Sequence, residues 1–486
     1  MKTKSTSQPV RRRSLSTRHS PATAGRKSLR ESGFFNLRAL IASVVTFAGV
    51  FLALFVTAMR PPGPVTQAWV ARYNGSANLD DGGHAIVGDN SGNVYVTGGS
   101  HGLGTDLDYG TIKYNSAGAE QWVSRYNGPA NGWDRAAAIA RDSAGNVYVT
   151  GQSSGLGTDF DYATVKYDSA GQELWVARYN GPENGEDDAV AIAVDGSGNV
   201  YVTGQSTGLG TGFDYATIKY DSSGQEQWVA RLPLSDRARA IAVDSSGNVY
   251  VTGLGWCCLD TLPDYTTVKY DTAGQEQWVA HYNGPGNGQD AAHAIAVDSS
   301  GNVYVTGGSP GLGTNYDYAT VKYDSAGQEQ WVARHDGLAN IAYAIAVDSS
   351  GDVYVTGRSA ETANSPTGYG TIKYDSAGQQ LWVARYGDSK NYFNIAEAIA
   401  LDLSGNVYVT GVSLNTRSGY DYATVKYDSA GQQQWVARYG GPGRRNEEGA
   451  STMVVDGSGN VYVTGASPGR NTGFDYATVK YVQNPP

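Results

Sequence analysis

Apolar and polar residues alternate in short runs along most of this chain, and the runs come in sets of four. In residues 189–232 the set reads "AVAIAVD", "NVYVTG", "DYATIKY" and "QEQWVARL". Val200 and Val202 fall on one side of the second run, Tyr201 and Thr203 on the other. That is the two-residue period of a β-strand. The joints "DGSGN" and "YDSSGQ" are built from residues that tolerate tight-turn geometry. No part of the repeat region carries a helical stripe.

The set recurs. The Trp of the fourth run stands at positions 69, 122, 175, 228, 278, 331, 382 and 435, at spacings of 50 to 53 residues. "GNVYVTG" or "GDVYVTG" also occurs eight times, as do variants of "DYATVKY". Four antiparallel strands per unit, repeated eight times, predict an all-β, eight-bladed β-propeller. One blade cannot cover its own faces and gains stability by stacking on its neighbours. The small Ala-Ile-Ala-Val run suits the crowded inner position and the Trp run the wide outer rim. Each Trp would bury about 150–250 Å², an upper bound near 4–6 kcal/mol per blade at ~25 cal/mol per Å². The array opens with a Trp run, "QAWVARY" (67–73), and ends with "FDYATVKYVQNPP", which no Trp run follows. Pairing these two ends would close the ring and remove two exposed edges.

The unit "AIAVDSSGNVYVTG…DYATVKYDSAGQEQWVARYNGP" resembles the bacterial SBBP beta-propeller repeat family over residues 67 to 481. Its half "AVDSSGNVYVTG" is also similar to NHL repeats. The SBBP name implies seven blades, and eight copies depart from it by one. The resemblance implies envelope or secreted binding proteins and carries no catalytic motif.

Charge divides the chain. Residues 1–60 hold 11 Lys/Arg and one acid, so the overall net charge of −10 leaves −20 on the remainder. So acidic a body argues against nucleic acid and anionic lipid as partners. Residues 1–38 are basic and Ser-rich and read as a disordered tail. Residues 39–59, "ALIASVVTFAGVFLALFVTAM", are an uncharged stretch long enough to span a bilayer as a helix. They read as a signal peptide or a signal anchor, with the N-terminus in the cytoplasm. Residues 60–66 read as a Pro-rich linker, and 67–486 as the propeller. The propeller is therefore expected outside the cytoplasm: periplasmic, at the cell surface or secreted, and membrane-anchored if the segment is not cleaved.

Within each unit the turns after the first and third runs are short and uniform. The loops after the second and fourth runs vary in length, and they share the opposite face. Function tends to sit on variable loops held by a rigid scaffold. One position on that face carries an oxygen group in every copy: Asp81, Asp134, Asp187, Asp236, Asp290, Asn340, Asn394 and Glu448. These form a candidate ligand or cation ring, with Ca²⁺ the ion such oxygens suit; the alternative is that each caps its own loop's amides. Asp89 and its seven counterparts are expected to brace turns. The strand lysines, Lys113 onward, are expected to find carboxylate or carbonyl partners. "GQSSG" (151–155) fits a Ser-hydrolase motif, but no helix follows it. Cys257 and Cys258 form a candidate redox pair. Eight blades, a Trp strand and adjacent cysteines loosely resemble quinoprotein dehydrogenases. No metal ligands, catalytic residues or resident cofactor are expected.

The copies look equivalent, with no asymmetric cluster of chemistry. The expected function is thus a non-enzymatic scaffold binding an envelope protein or glycan through the variable-loop face. A quinone-dependent dehydrogenase and a purely structural or adhesive surface module are the alternatives.

Overall fold

The computed structural model describes residues 65–483, except 234–236, 257–261, 314, 338–339, 361–365, 388–392, 416–418 and 444–447. Asp236, Cys257, Cys258 and the segments 1–38 and 39–59 lie outside the described residues. No helix among the described residues is long and apolar enough to cross a membrane.

The described residues form eight four-stranded antiparallel sheets. Seven are consecutive: blade two, for example, runs through Asp134–Arg141, Val147–Ser154, Phe160–Tyr167 and Glu173–Tyr179. The eighth takes its inner three strands from Gly449–Val455, Val461–Pro468 and Phe474–Gln483, and its outer strand from Val65–Tyr73. Val70 lies opposite Val479 and Tyr73 opposite Tyr476. This last blade also packs on the first. Tyr476 donates its hydroxyl to the Gly110 carbonyl at 3.1 Å, and Lys480 its ammonium to the Ser116 carbonyl at 3.0 Å.

Alternation along the second strand does not separate core from solvent. Val200, Tyr201, Val202 and Thr203 are all fully buried. Both sides of each sheet are covered, so the alternation instead assigns side chains to one neighbouring blade or the other. The core is accordingly a set of wedges. In one, Tyr148 and Tyr162 of blade two pack with Val200, Val202 and Ile218 of blade three. Tyr162 then donates to the Ala216 carbonyl across the same wedge. At mid-sheet, Thr150 and Thr164 pair hydroxyls at 3.0 Å in full burial, a cross-strand contact repeated in every blade.

The outer rim is held by a shared acceptor. The Ser222 carbonyl of blade three receives the Lys166 ammonium at 2.8 Å and the Trp175 indole at 3.2 Å from blade two. Lys166 also lies over the Tyr148 ring, 5.0 Å from its centroid. Six of the eight strand lysines thus have their expected carbonyl partners, supplied by the next blade, while Lys373 pairs with Asp352 of its own blade and Lys426 with Gln483 Oε1. The strand tryptophans are partly buried, and Trp435 is the most enclosed of them.

Candidate functional site

The loops after the second and outer strands meet on one face. The Leu103 amide donates to Ser76 Oγ, and the Gly210 amide to Glu183 Oε1, each joining a second-strand loop to an outer-strand loop. Exposed apolar bulk gathers there. Leu103, Leu156, Leu209 and Leu312 occupy one equivalent position in four blades and are 72–82% exposed. Trp133, Trp256, Leu79, Leu262 and Phe393 are exposed on the same face. On the opposite face the turns are braced as expected. Asp142 accepts the Asn146 amide and side chain and the Tyr148 hydroxyl. Burial pushes its carboxyl up, but these donors outweigh burial and hold it below its usual range.

The recurrent oxygen position lies just under the loop face. All seven described members, Asp81, Asp134, Asp187, Asp290, Asn340, Asn394 and Glu448, are buried. The aspartates and Glu448 bond to the loop leading into their own blade or to its second strand, and Asn340 and Asn394 also reach the preceding blade. Asp187 accepts the Gly181 amide at 2.6 Å and the Thr207 amide at 3.2 Å. Asn340 accepts the Ala360 amide, Asn394 donates to the Thr367 carbonyl, and Glu448 accepts the Gly441 amide. Burial raises the carboxyls of Asp81, Asp134 and Asp187 against the pull of those amides. It pushes Asp290 up to about 6 and Glu448 to about 7. These oxygens tie the loop between blades to the end of the second strand. Among the described residues, no group of three or more His, Cys, Asp or Glu is arranged to hold a metal ion.

Sequence reasoning passed over the Arg of "WVAR". Arg178 binds Asp161 at 2.8 Å, Ser153 Oγ at 2.5 Å and the Tyr126 hydroxyl of blade one at 2.9 Å. The same clamp recurs at Arg72, Arg125, Arg231, Arg334 and Arg438. Arg, Ser and Asp recur in register with the Trp in most copies, which was a usable signal. Blade four departs from it with His281, which contacts Thr266 at 2.9 Å. Blade six has Gly368 at the Asp position, and Arg385 holds the Ser359 carbonyl.

The copies are not equivalent at the inner rim, and here the sequence expectation fails. Every inner strand carries a bulge that skips one residue: His84, Ala137, Val190, Arg239, His293, Tyr343, Glu397 and Ser451. Bulges re-aim side chains. The invariant glycine of "VYVTG" serves this bend, because a Cβ on Gly204 would strike the Asp188 carbonyl oxygen. Two residues before each bulge, and opposite it on the second strand, the chain also varies. The pair is Arg135 and Gln152 in blade two, Asp188 and Gln205 in blade three, and Ile395 and Val412 in blade seven.

The varied residues meet from blade to blade. His84 Nδ1 donates to the Ala136 carbonyl at 2.9 Å, leaving Nε2 to face Arg135. Arg239 donates to His293 Nδ1 at 2.8 Å, and His293 meets the Tyr343 ring edge-on at 5.1 Å. Burial, with a neighbouring Arg, lowers His84 to about 4 and His293 to about 3. Burial raises Asp188 and Glu397 to about 6. All four are enclosed on most sides yet keep some contact with solvent. A depression of about 370 Å³ is lined by Asp188, Val190, Gln205, Arg237, Arg239 and His293.

The profile of the SBBP family, described as a beta-propeller repeat, matches residues 175–210, 233–256 and 277–311. The chain carries SBBP beta-propeller repeats at these stretches. The regulatory protein FlaEY of Caulobacter vibrioides is 31% identical over 110 residues, a match covering 20% of this chain and 11% of that protein. Among solved structures, the propeller domain of the Trilobed protease from Pyrococcus furiosus aligns at a TM-score of 0.42 and 10% identity. It covers 72% of this chain and 95% of that one. A protein of unknown function from Dyadobacter fermentans aligns at 0.41 and 9%, covering 86% and 99%.

Proposed function

We propose that this protein is a non-enzymatic binding scaffold, exported or membrane-anchored, that engages an envelope protein or glycan on its variable-loop face. The observation that carries this reading is the placement of exposed apolar side chains. Among the described residues, nine of the thirteen exposed large apolar side chains stand on that face, four of them at one repeated position. Such bulk is costly to leave in water and marks interaction surfaces. The basic tail and the apolar run at 39–59 support export. On this reading the strand Val65–Tyr73 is the seam that closes the ring and holds the face rigid.

Leu103, Leu156, Leu209 and Leu312 changed together to Ser provide the test. Purified protein should bind isolated cell envelopes saturably, and the fourfold variant should lose at least tenfold in affinity while keeping its melting temperature. Equal binding by both proteins would sink the reading.

A further inference from the structure

The inner rim over blades two to five departs from the rest of the molecule in charge. Residues 61–486 carry a net charge of −20, yet Arg135, Arg237 and Arg239 are clustered here and exposed. Asp188 lies between blades within the fields of both Arg135 and Arg237. Its carboxylate accepts no hydrogen bond from any described residue. Gln205 binds Glu186 at 3.2 Å. Three guanidinium groups face the carboxylates of Asp188 and Glu186 at the exposed edge, with Asp134 and Asp187 buried beneath, so the edge offers cationic donors in an otherwise repulsive body. Blades six and seven carry one guanidinium at the matching positions, Arg358 opposite Ile341, beside the apolar pair Ile395 and Val412 and the bulge residue Glu397.

A second observation concerns tryptophan. Eight of the ten tryptophans belong to the repeated outer strand. The other two, Trp133 and Trp256, lie on the loop face in blades two and four. They are 47% and 45% exposed and stand on either side of blade three. No structural repeat calls for them, and an exposed indole presents a broad apolar plane.

We propose that this rim binds an acidic glycan, a uronic-acid oligosaccharide, with its carboxylate on Arg237 and Arg239. Guanidinium groups match carboxylates in geometry and charge. Asp188 accepts sugar hydroxyls, and Trp133 and Trp256 stack against the apolar faces of the pyranose rings on either side. The carboxylates of Asp188 and its buried neighbours favour one carboxylate per sugar over a dianionic phosphate at this place. The depression of about 370 Å³ is within the range of small-ligand sites. This inference rests on the loop-face reading above and names its ligand class.

The experiment titrates the full chain with tetramers of galacturonate, mannuronate and glucuronate, and with a neutral galactose tetramer. At least one acidic tetramer should bind saturably and the neutral one should not. Arg237→Gln with Arg239→Gln should weaken that binding at least tenfold, and Trp133→Ala with Trp256→Ala at least fivefold. Both double variants should keep the parent melting temperature, since these side chains are exposed. Failure of every acidic tetramer to bind, or binding indifferent to the arginine pair, overturns the proposal. If envelope binding still depends on the four leucines in that case, only the acidic-glycan inference falls. If envelope binding is absent as well, both fall.

Discussion

Thr150 and Gly151, at the centre of blade two, have the same surroundings as Thr410 and Gly411 in blade seven. Each threonine pairs with a threonine across the sheet, and each glycine makes room for a carbonyl at the bulge. At the neighbouring rim position, Arg135 and Gln152 in blade two correspond to Ile395 and Val412 in blade seven. The centre is gripped by both neighbouring blades, so a change there breaks a contact that every blade needs. The rim borders solvent, so packing does not dictate its residues. The same fold therefore holds one region constant and leaves the other free to carry chemistry.

The harshest test of the constant region removes residues 65–73. The edge of Phe474–Gln483 is then bare, and Trp69 and Arg72 leave their partners. If this strand is the seam, most of an ordinary domain stability of about 5–15 kcal/mol should go, with aggregation through the open edge. Chemical denaturation and sedimentation would show it. An unchanged unfolding midpoint would mean that the blades hold together without a seam.

A matched pair of arginines sharpens the contrast. Arg178→Ala leaves Asp161, whose side chain is 9% exposed, without its ion-pair partner. It should cost about 2–3 kcal/mol. Arg237→Ala removes an exposed rim side chain over Phe213 and should stay within about 0.5 kcal/mol. Similar losses in the two variants would erase the distinction between centre and rim.

Acid titration probes the layer between them. Glu448, held up to about 7 from its ordinary 4.5, binds its proton more tightly folded than unfolded. Its contribution is therefore greatest below pH 4.5 and is lost as pH rises through 7. Glu448→Gln keeps the acceptor for Gly441 and removes the titration. The stability difference, parent minus variant, should fall by about 1–3 kcal/mol between pH 4.5 and 7. A flat difference would show that Glu448 titrates normally. The comparison cancels His84 and His293, whose lowered values act in the opposite sense.

Eight blades of four strands were legible because stacking imposes the same residues at each turn of the ring, and periodicity records that constraint directly. The lysine partners were legible in kind, though not the blade that supplies them. The Arg178 clamp was overlooked because its members, Ser153, Asp161 and Tyr126, lie on three strands of two blades. A repeat scan shows that such residues recur but not that they touch. The inner rim was missed for a different reason. A bulge changes which way Arg239 and His293 point, and strict alternation gives no sign of it. What the sequence does show is variation at three linked positions inside otherwise uniform strands, and that variation passed for noise.

The smallest expected effect concerns a gap within the constant region. In blade one, the Trp122 indole donates to the Ser169 carbonyl at 3.2 Å, and the hairpin glycine Gly171 lies against its ring. Gly171 has a φ of 82°, so a side chain there would be strained as well as obstructed. In blade seven Trp435 occupies the matching position, but its neighbour's third and outer strands, Phe474–Gln483 and Val65–Tyr73, are not joined by a hairpin. Its indole nitrogen is buried with no partner among the described residues. Trp122→Phe should therefore cost more than Trp435→Phe, by about 0.5–1.5 kcal/mol, the net worth of one hydrogen bond. Trp435 is the more buried of the two, so packing loss works against this difference and an excess cost at Trp122 is the mark of the bond. Equal costs would mean that the indole bonds around the outer rim add little, and that ring packing alone holds the blades there.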